Sequence, residues 1–405
     1  MNRNILLVEP KFPIPTKSKN HKNFLPIGLL KIASFLRSKN INVLLVRGFS
    51  NSSDDISKLQ EFNPTEIWIT SLFTYWSKHV KDSVQYYKKS FPNAKIIVGG
   101  IYASLMPEHC KEYTGCHEVF KGIYKEAEDF FPAYDLVDVN YQIMHTSRGC
   151  IRKCKFCGTY RIEPRFYVKN SILDEIKSNK LIFYDNNFLA NKNIFNILDE
   201  LSNAKYQNKL VHSECQSGFD GRILNEALAI KLKKARFINP RIAWDNSYND
   251  YKEIERQLVF LYNAGYNPKD IYVFMVYNFE LSFEIMEDKR KKCYEWGVQI
   301  SDCRYRPLDQ IFDNYNSHVD KQTNKDYFIH PAWKDEEVRQ FRANVRRQNI
   351  CIRHNFPFYS KILEHHKYDT KLIKKIKDIP DTREKIKLLE KNNLDFWLPD
   401  ANLSE

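Results

Sequence analysis

Before residue 110, four short apolar runs rich in β-branched residues lie at 5–8, 43–46, 67–72 and 95–98. Between them the apolar positions follow helical spacing, as Ile27, Leu30, Ile32, Ala33 and Leu36 show. This strand–helix–strand alternation predicts a parallel sheet covered on both faces, so residues 1–130 read as a doubly wound, Rossmann-like α/β domain. The alternation restarts further on, predicting strands at 141–146, 181–184, 210–215, 238–244, 271–276 and 298–303, with helices among them at 192–201 and 251–264. Six such units over residues 140–312 predict a partial (β/α)6 barrel of TIM type, in which reactive groups sit at strand C-termini. Residues 313–325 are rich in Asn and Asp and predict a loop. Beyond them, residues 326–405 predict a basic helical C-terminal region with helices at 336–353, 372–377 and 383–391.

The chain has 405 residues, 43% of them hydrophobic, enough for two or three domains of roughly 100–200 residues each. No run approaches the ~18 apolar residues of a membrane span, and the first apolar run is shorter than a secretory signal core, so a cytoplasmic, non-membrane protein is expected. In a reducing compartment the nine cysteines read as ligands, redox groups or buried hydrophobes before bridges. The net charge of +13 admits a nucleic-acid or other polyanionic partner. It is equally served by a global bias towards Lys, Asn and Ile.

The densest chemistry lies in Ser147-Arg-Gly-Cys-Ile-Arg-Lys-Cys-Lys-Phe-Cys-Gly158. Cys150, Cys154 and Cys157 can converge on one soft metal site, and the strand before them places their loop at a strand C-terminus. A structural zinc site needs a fourth ligand, for which His145, Cys215 and Cys303 are the nearest candidates. An iron–sulfur cubane held by three thiolates instead leaves one iron open to a cosubstrate.

The Cys-x3-Cys-x2-Cys spacing, with Phe156 before its last cysteine and a barrel strand before its first, resembles the signature of the radical S-adenosylmethionine (SAM) superfamily. The resemblance implies a [4Fe–4S] cluster on Cys150, Cys154 and Cys157, with SAM on the open iron and its reductive cleavage to a 5′-deoxyadenosyl radical. It implies Phe156, Asp185, Gln216 and Asp245 as residues towards SAM, and an external one-electron donor, a flavodoxin or ferredoxin. Upstream, Gly99-Gly-Ile-Tyr-Ala-Ser-Leu-Met-Pro-Glu108, Val119-Phe-Lys-Gly-Ile-Tyr-Lys-Glu126 and Pro132-Ala-Tyr-Asp-Leu-Val-Asp138 resemble the stretch that joins a cobalamin (B12)-binding domain to a radical SAM barrel. That likeness implies Ser71, Thr74, Gly99 and Gly100 as pocket residues for cobalamin. The chain departs from it where histidine-ligated members carry Asp-x-His-x-x-Gly: here stands Glu9-Pro10-Lys11, with only His21 nearby, so bound cobalamin would lack a histidine ligand. The acidic-glycine motif near the SAM amino group is replaced by Tyr184-Asp185-Asn186-Asn187, where Asp185 can accept from an ammonium or cap a helix.

Glu214, Gln216 and Asp245 end the third and fourth predicted barrel strands, and an aspartate there suits paired ribose hydroxyls through its two acceptor oxygens. Turn capping is the competing reading. Arg222, in a constrained turn, can reach a carboxylate or lie on the surface. Cys303 ends the sixth strand, followed by Arg304, Tyr305 and Arg306; its thiol can donate hydrogen to a substrate radical or serve as a small hydrophobe. Cys110, Cys116, Cys293 and Cys351 lack motif context and read as structural. Arg339, Arg342, Arg346, Arg347 and Arg353, with Lys334 and His354, form the densest basic cluster, either a solvated helix face or a site for an anionic, nucleotide-like substrate. Two functions follow: a radical SAM enzyme, whether methyltransferase or rearrangement/oxidation catalyst, or a metal-stabilised nucleic-acid-binding protein with a structural cysteine site.

Overall fold

The computed structural model describes residues 3–14, 24–49, 53–360, 374–376 and 378–399. His21 lies outside them, and so do three residues of the helix predicted at 372–377, of which 374–376 are helical. The chain divides into two compact units: the first comprises 1–211, 306–316 and 324–328, the second 212–305, 317–323 and 329–405.

In the first unit, β1 (Asn4–Glu9), β2 (Asn42–Arg47), β3 (Glu66–Ser71), β4 (Lys95–Gly100) and β5 (Glu118–Val119) form a sheet of order β2-β1-β3-β4-β5. Every pairing is parallel, with Leu6 opposite Leu44 on one side and Ile67 on the other. The alternate residues of each strand feed opposite faces. Leu6, Val8, Ile67, Ile69, Ile96 and Val98 pack with Val80, Val84 and Tyr87 of α3 (Ser77–Ser90) and Cys110 of α5 (Pro107–Thr114). Ile5 and Leu7 pack with Leu29, Ala33 and Leu36 of α1 (Ile27–Ser38). Helices therefore cover both faces, as the sequence pattern predicts; α2 (Ser53–Phe62) and α4 (Ile101–Leu105) complete the connections. Each fully buried aliphatic side chain contributes roughly 1.5–3 kcal/mol. The strand order reverses between β1 and β3, the switch point where such sheets bind ligands.

The strands predicted as one barrel divide between the units. The first holds β6 (Gln142–Met144), the short antiparallel pair β7 (Ser147–Arg148) and β8 (Tyr167–Val168), and β9 (Lys180–Phe183), which lies parallel to β6. It also holds α6 (Thr159–Ile162), α7 (Ile194–Asn203) and the antiparallel strands β10 (Lys205–Tyr206) and β11 (Lys209–Leu210). Gln207 and Asn208 between those last two both have positive φ, the geometry of a tight hairpin turn, so the strand predicted at 210–215 is interrupted. The second unit holds β12 (His212–Cys215), α8 (Glu226–Lys234), β13 (Arg241–Ala243), α9 (Tyr251–Asn263), β14 (Tyr272–Tyr277), α10 (Phe283–Glu295) and β15 (Gln299–Arg304). There β13, β14 and β15 run parallel in that order. Two helices follow, α11 (Asp335–His354) and α12 (Thr382–Lys391). Among the described residues no helix is long and apolar enough to cross a membrane.

Candidate functional site

Two loops that leave β6 and β9 build the cysteine region. Asp185, just past β9, is fully buried and accepts from the Thr146 backbone N–H (2.9 Å), the Thr146 hydroxyl (2.6 Å) and the Ser147 hydroxyl (2.7 Å). Burial pushes its carboxyl up from the usual range, and these hydrogen bonds pull it back. Its carboxylate thus ties the exit of β9 to the exit of β6. The next two residues reach the cysteine loop instead. Asn186 accepts from the Thr159 hydroxyl (3.2 Å) and donates to Glu163 (3.3 Å), whose Oε2 also takes the Gly149 N–H at 2.6 Å. Glu163 pairs further with Arg148 at 3.1 Å. The residues flanking the trio, Gly149 before and Thr159 after, are therefore fastened to one network. Gly149 has φ +74°, and a Cβ there would stand 2.4 Å from the Arg165 carbonyl oxygen, so only glycine fits.

Within the loop all three cysteines are partly accessible and free. The Cys157 N–H closes a turn onto the Cys154 carbonyl at 3.0 Å. The Arg152 N–H (3.3 Å) and the Asn187 side-chain amide (3.8 Å) point at the Cys150 sulfur, and the Cys157 thiol donates to Thr159 at 3.2 Å. N–H groups aimed at a sulfur stabilise its thiolate form, which is the metal-binding form. Phe156 is half-buried within the same loop. Among the described residues no group of three or more His, Cys, Asp and Glu side chains has metal-holding geometry. The fold brings the thiols onto one loop, and a soft metal would gather them; as a donor set they fit an iron–sulfur cluster.

At the β1/β3 switch point the chemistry differs from a histidine-ligated corrinoid site. Residues 10–14, which follow β1, contain no histidine, and Phe12 there is buried and stacked on Trp76 with centroids 5.4 Å apart. Tyr75 stacks on Phe73 at 5.0 Å and carries the Arg306 guanidinium 4.6 Å above its ring; Ser77 donates to the Ile311 carbonyl at 2.9 Å. Residues 306–316, two-thirds of which the sequence assigns to the barrel and its closing loop, thus pack against the end of β3. Glu9 is buried and paired with Arg47, and burial raises its carboxyl above the usual range. The Ser71 hydroxyl donates to the Gly99 carbonyl (2.7 Å) and accepts from the Ala103 N–H (3.1 Å). Thr74 is buried, while Gly99 has only ordinary contact, at 3.8 Å, where its Cβ would stand. Gly100, at φ +96°, has its Cβ position 2.2 Å from the Ser71 carbonyl oxygen. These residues do not fit an axial histidine ligand.

In the second unit, Glu214 is paired with Arg241, Gln216 is half-buried, and Cys215 is buried with its thiol on the Gly218 carbonyl at 3.3 Å. Register places Ala243 opposite Phe274 and Phe274 opposite Ser301; two residues on, Asp245, Val276 and Cys303 share one face at the C-terminal ends. Cys303 is exposed. Burial pushes Asp245 up to about 6, opposed by Lys289 and Arg222. The basic residues of α11 are partly committed to their own unit: Arg339 pairs with Asp335 (3.0 Å) and Asp320 (2.7 Å), Arg347 lies over Tyr359 and Trp397, and Arg353 donates to Gln299 at 3.1 Å. Arg222 pairs with Asp220 at 2.7 Å. Sequence reasoning missed Glu163, Asn186, Asn187 and Lys289; only the two asparagines, in the stretch that replaces the acidic-glycine motif, carried a signal.

A doubly wound sheet followed by a Cys-x3-Cys-x2-Cys loop resembles radical SAM proteins with an N-terminal B12-binding-like domain. Residues 21–135 match the family model described as B12 binding domain. No curated protein matches the chain. Among solved structures, it is similar to the apo, selenomethionine-labelled cobalamin-dependent S-adenosylmethionine radical enzyme OxsB, with 12% identity, a TM-score of 0.48, and 73% of this chain and 51% of that chain covered. A novel cobalamin-binding protein from Desulfitobacterium hafniense DCB-2 is 15% identical, with a TM-score of 0.21, and 29% of this chain and 52% of that chain covered. The matches thus span about half the length of each of these structures.

Proposed function

We propose that the chain is a radical SAM enzyme. The observation that carries this is the cysteine loop: three free thiols at Cys-x3-Cys-x2-Cys spacing, flanked by Gly149 and Thr159 on the Glu163–Asn186 network, with N–H donors aimed at Cys150. Cys150, Cys154 and Cys157 would hold a [4Fe–4S] cluster, and Phe156 would wall it. When bound, the cluster supplies the electron that splits SAM into methionine and a 5′-deoxyadenosyl radical. The partial (β/α)6 barrel over 140–312 belongs to this proposal, with Gln216 and Asp245 towards SAM and Cys303 towards substrate. Asp185 would act by fixing the strand exits; the neighbouring amides of Asn186 and Asn187 would face the cosubstrate. An external flavodoxin or ferredoxin would deliver the electron.

The test is anaerobic: reconstitute with iron and sulfide, reduce, add SAM and measure 5′-deoxyadenosine against a Cys154→Ala control. Product from wild type alone supports the proposal; none from protein that carries its cluster counts against it. Corrinoid retention on protein supplied with cobalamin separates methyl transfer, which needs the cofactor, from rearrangement or oxidation, which does not.

A further inference from the structure

Lys289 is an anomaly in the second unit. It is 1% exposed on α10, yet its partners are two backbone carbonyls at the exit of β13: Nζ donates to the Trp244 oxygen at 2.7 Å and the Asn246 oxygen at 2.9 Å. Its ammonium lies 5.0 Å from the centroid of the buried Trp244 ring, and the Trp244 indole N–H in turn donates to the Ser247 carbonyl at 3.0 Å. Burying an ammonium is costly unless its partners are well placed. Here those partners bracket a single residue, Asp245, from both sides.

We propose that Lys289 is a positioning residue that holds the Asp245 carboxylate, at the C-terminal end of β13, in the orientation and ionised state that accepts the paired ribose hydroxyls of SAM. The inference rests on the radical SAM reading. Two effects of one side chain support it. Gripping the carbonyls of residues 244 and 246 fixes the turn through which Asp245 projects. Its positive charge is also the leading influence that opposes the burial-driven rise of the Asp245 carboxyl to about 6; Arg222 assists and Asp220 works against it. Burial lowers Lys289 itself to about 8, with Asp245, Cys293 and Asp250 favouring its charged form. A neutral Asp245 has only one free acceptor oxygen and cannot take two hydroxyls equally.

The experiment measures SAM binding, without turnover, to cluster-reconstituted wild type, Lys289→Met, Asp245→Asn and the double variant, with iron content and thermal midpoint recorded for each. Expected are at least about tenfold weaker SAM binding for Lys289→Met at neutral pH, at full iron content, and partial recovery at alkaline pH as Asp245 ionises. The double variant should bind no more weakly than Asp245→Asn, because Lys289 acts through that residue. Wild-type affinity in Lys289→Met, or losses that multiply in the double variant, would overturn the inference. Should Lys289→Met not fold, Lys289→Gln, which can still donate to a carbonyl but has no charge, gives the same discrimination: wild-type affinity refutes, weakened affinity with alkaline recovery supports. Cluster-bearing wild type that binds no SAM overturns the underlying reading as well.

Discussion

Replacing Gly149 by alanine tests whether the cysteine loop is held in place before any metal arrives. Gly149 has φ +74°, and its Cβ would lie 2.4 Å from the Arg165 carbonyl oxygen, 1.0 Å inside the 3.4 Å at which ordinary contact begins. The obstructing atom is backbone, so no rotamer change relieves it. Left-handed φ alone costs an alanine roughly 1–2 kcal/mol, a factor of roughly 5–30 in any equilibrium it opposes. The clash adds to this by pushing the Gly149 N–H off Glu163, 2.6 Å away, and with it one end of the loop. Gly115 supplies the control: its φ is also +74°, but nothing lies within 4 Å of its Cβ position, so Gly115→Ala meets backbone strain alone. Both variants should lower the thermal midpoint, by about 2–8 °C for a unit of this size. Only Gly149→Ala should lower iron and sulfide per chain after anaerobic reconstitution, severalfold below wild type. Wild-type iron content in Gly149→Ala, or equal iron loss in the two variants, would refute the reasoning.

Gly100→Ala puts a Cβ 2.2 Å from the Ser71 carbonyl oxygen at φ +96°, so the first unit should lose several kcal/mol, read as soluble yield and midpoint in urea. Arg290 is buried, with Glu287 at 2.8 Å, Gln348 at 2.7 Å and the Pro399 carbonyl at 2.9 Å; Arg290→Ala strands the Glu287 charge and should cost about 3–5 kcal/mol in urea unfolding, while Arg290→Met with Glu287→Leu should cost less. Asp302 is raised by burial from 3.8 to about 6, against the attraction of Arg342. A carboxyl raised in the folded state stabilises when protonated, so that contribution is present below about 4 and lost as pH climbs through about 6. Asp302→Asn should therefore be more stable than wild type above pH 6, with the difference closing towards pH 4; a pH-independent difference in midpoint would show that Asp302 does not titrate this way.

What the sequence displayed and what it concealed divide by the range of the interactions involved. The doubly wound sheet was legible because each strand is an unbroken β-branched run and each intervening helix has an apolar stripe, so local pattern and tertiary role coincide. The cysteine loop was legible from spacing alone, since three thiols within eight residues must share one loop wherever it sits. Asp185 looked like a free acceptor for an ammonium, yet its oxygens are taken by Thr146 and Ser147, 38 and 39 residues earlier in the chain. No local signal reports such a contact, because an aspartate after a strand has the same sequence appearance whether it faces a ligand or its own backbone. The same holds for residues 306–316: Arg306 over Tyr75 and Ile311 on Ser77 are contacts between segments more than 200 residues apart, invisible to periodicity. Lys289 was hidden for a different reason. On a helix reading Asp-Lys-Arg-Lys-Lys it is one cation in a run that predicts a solvated face. Only α10's packing separates it from its neighbours, turning Lys289 and Arg290 inwards while Lys292 pairs with Glu295. In this chain, then, polar residues at strand exits reveal where chemistry can occur, and buried partners far along the sequence determine which of them face the ligand.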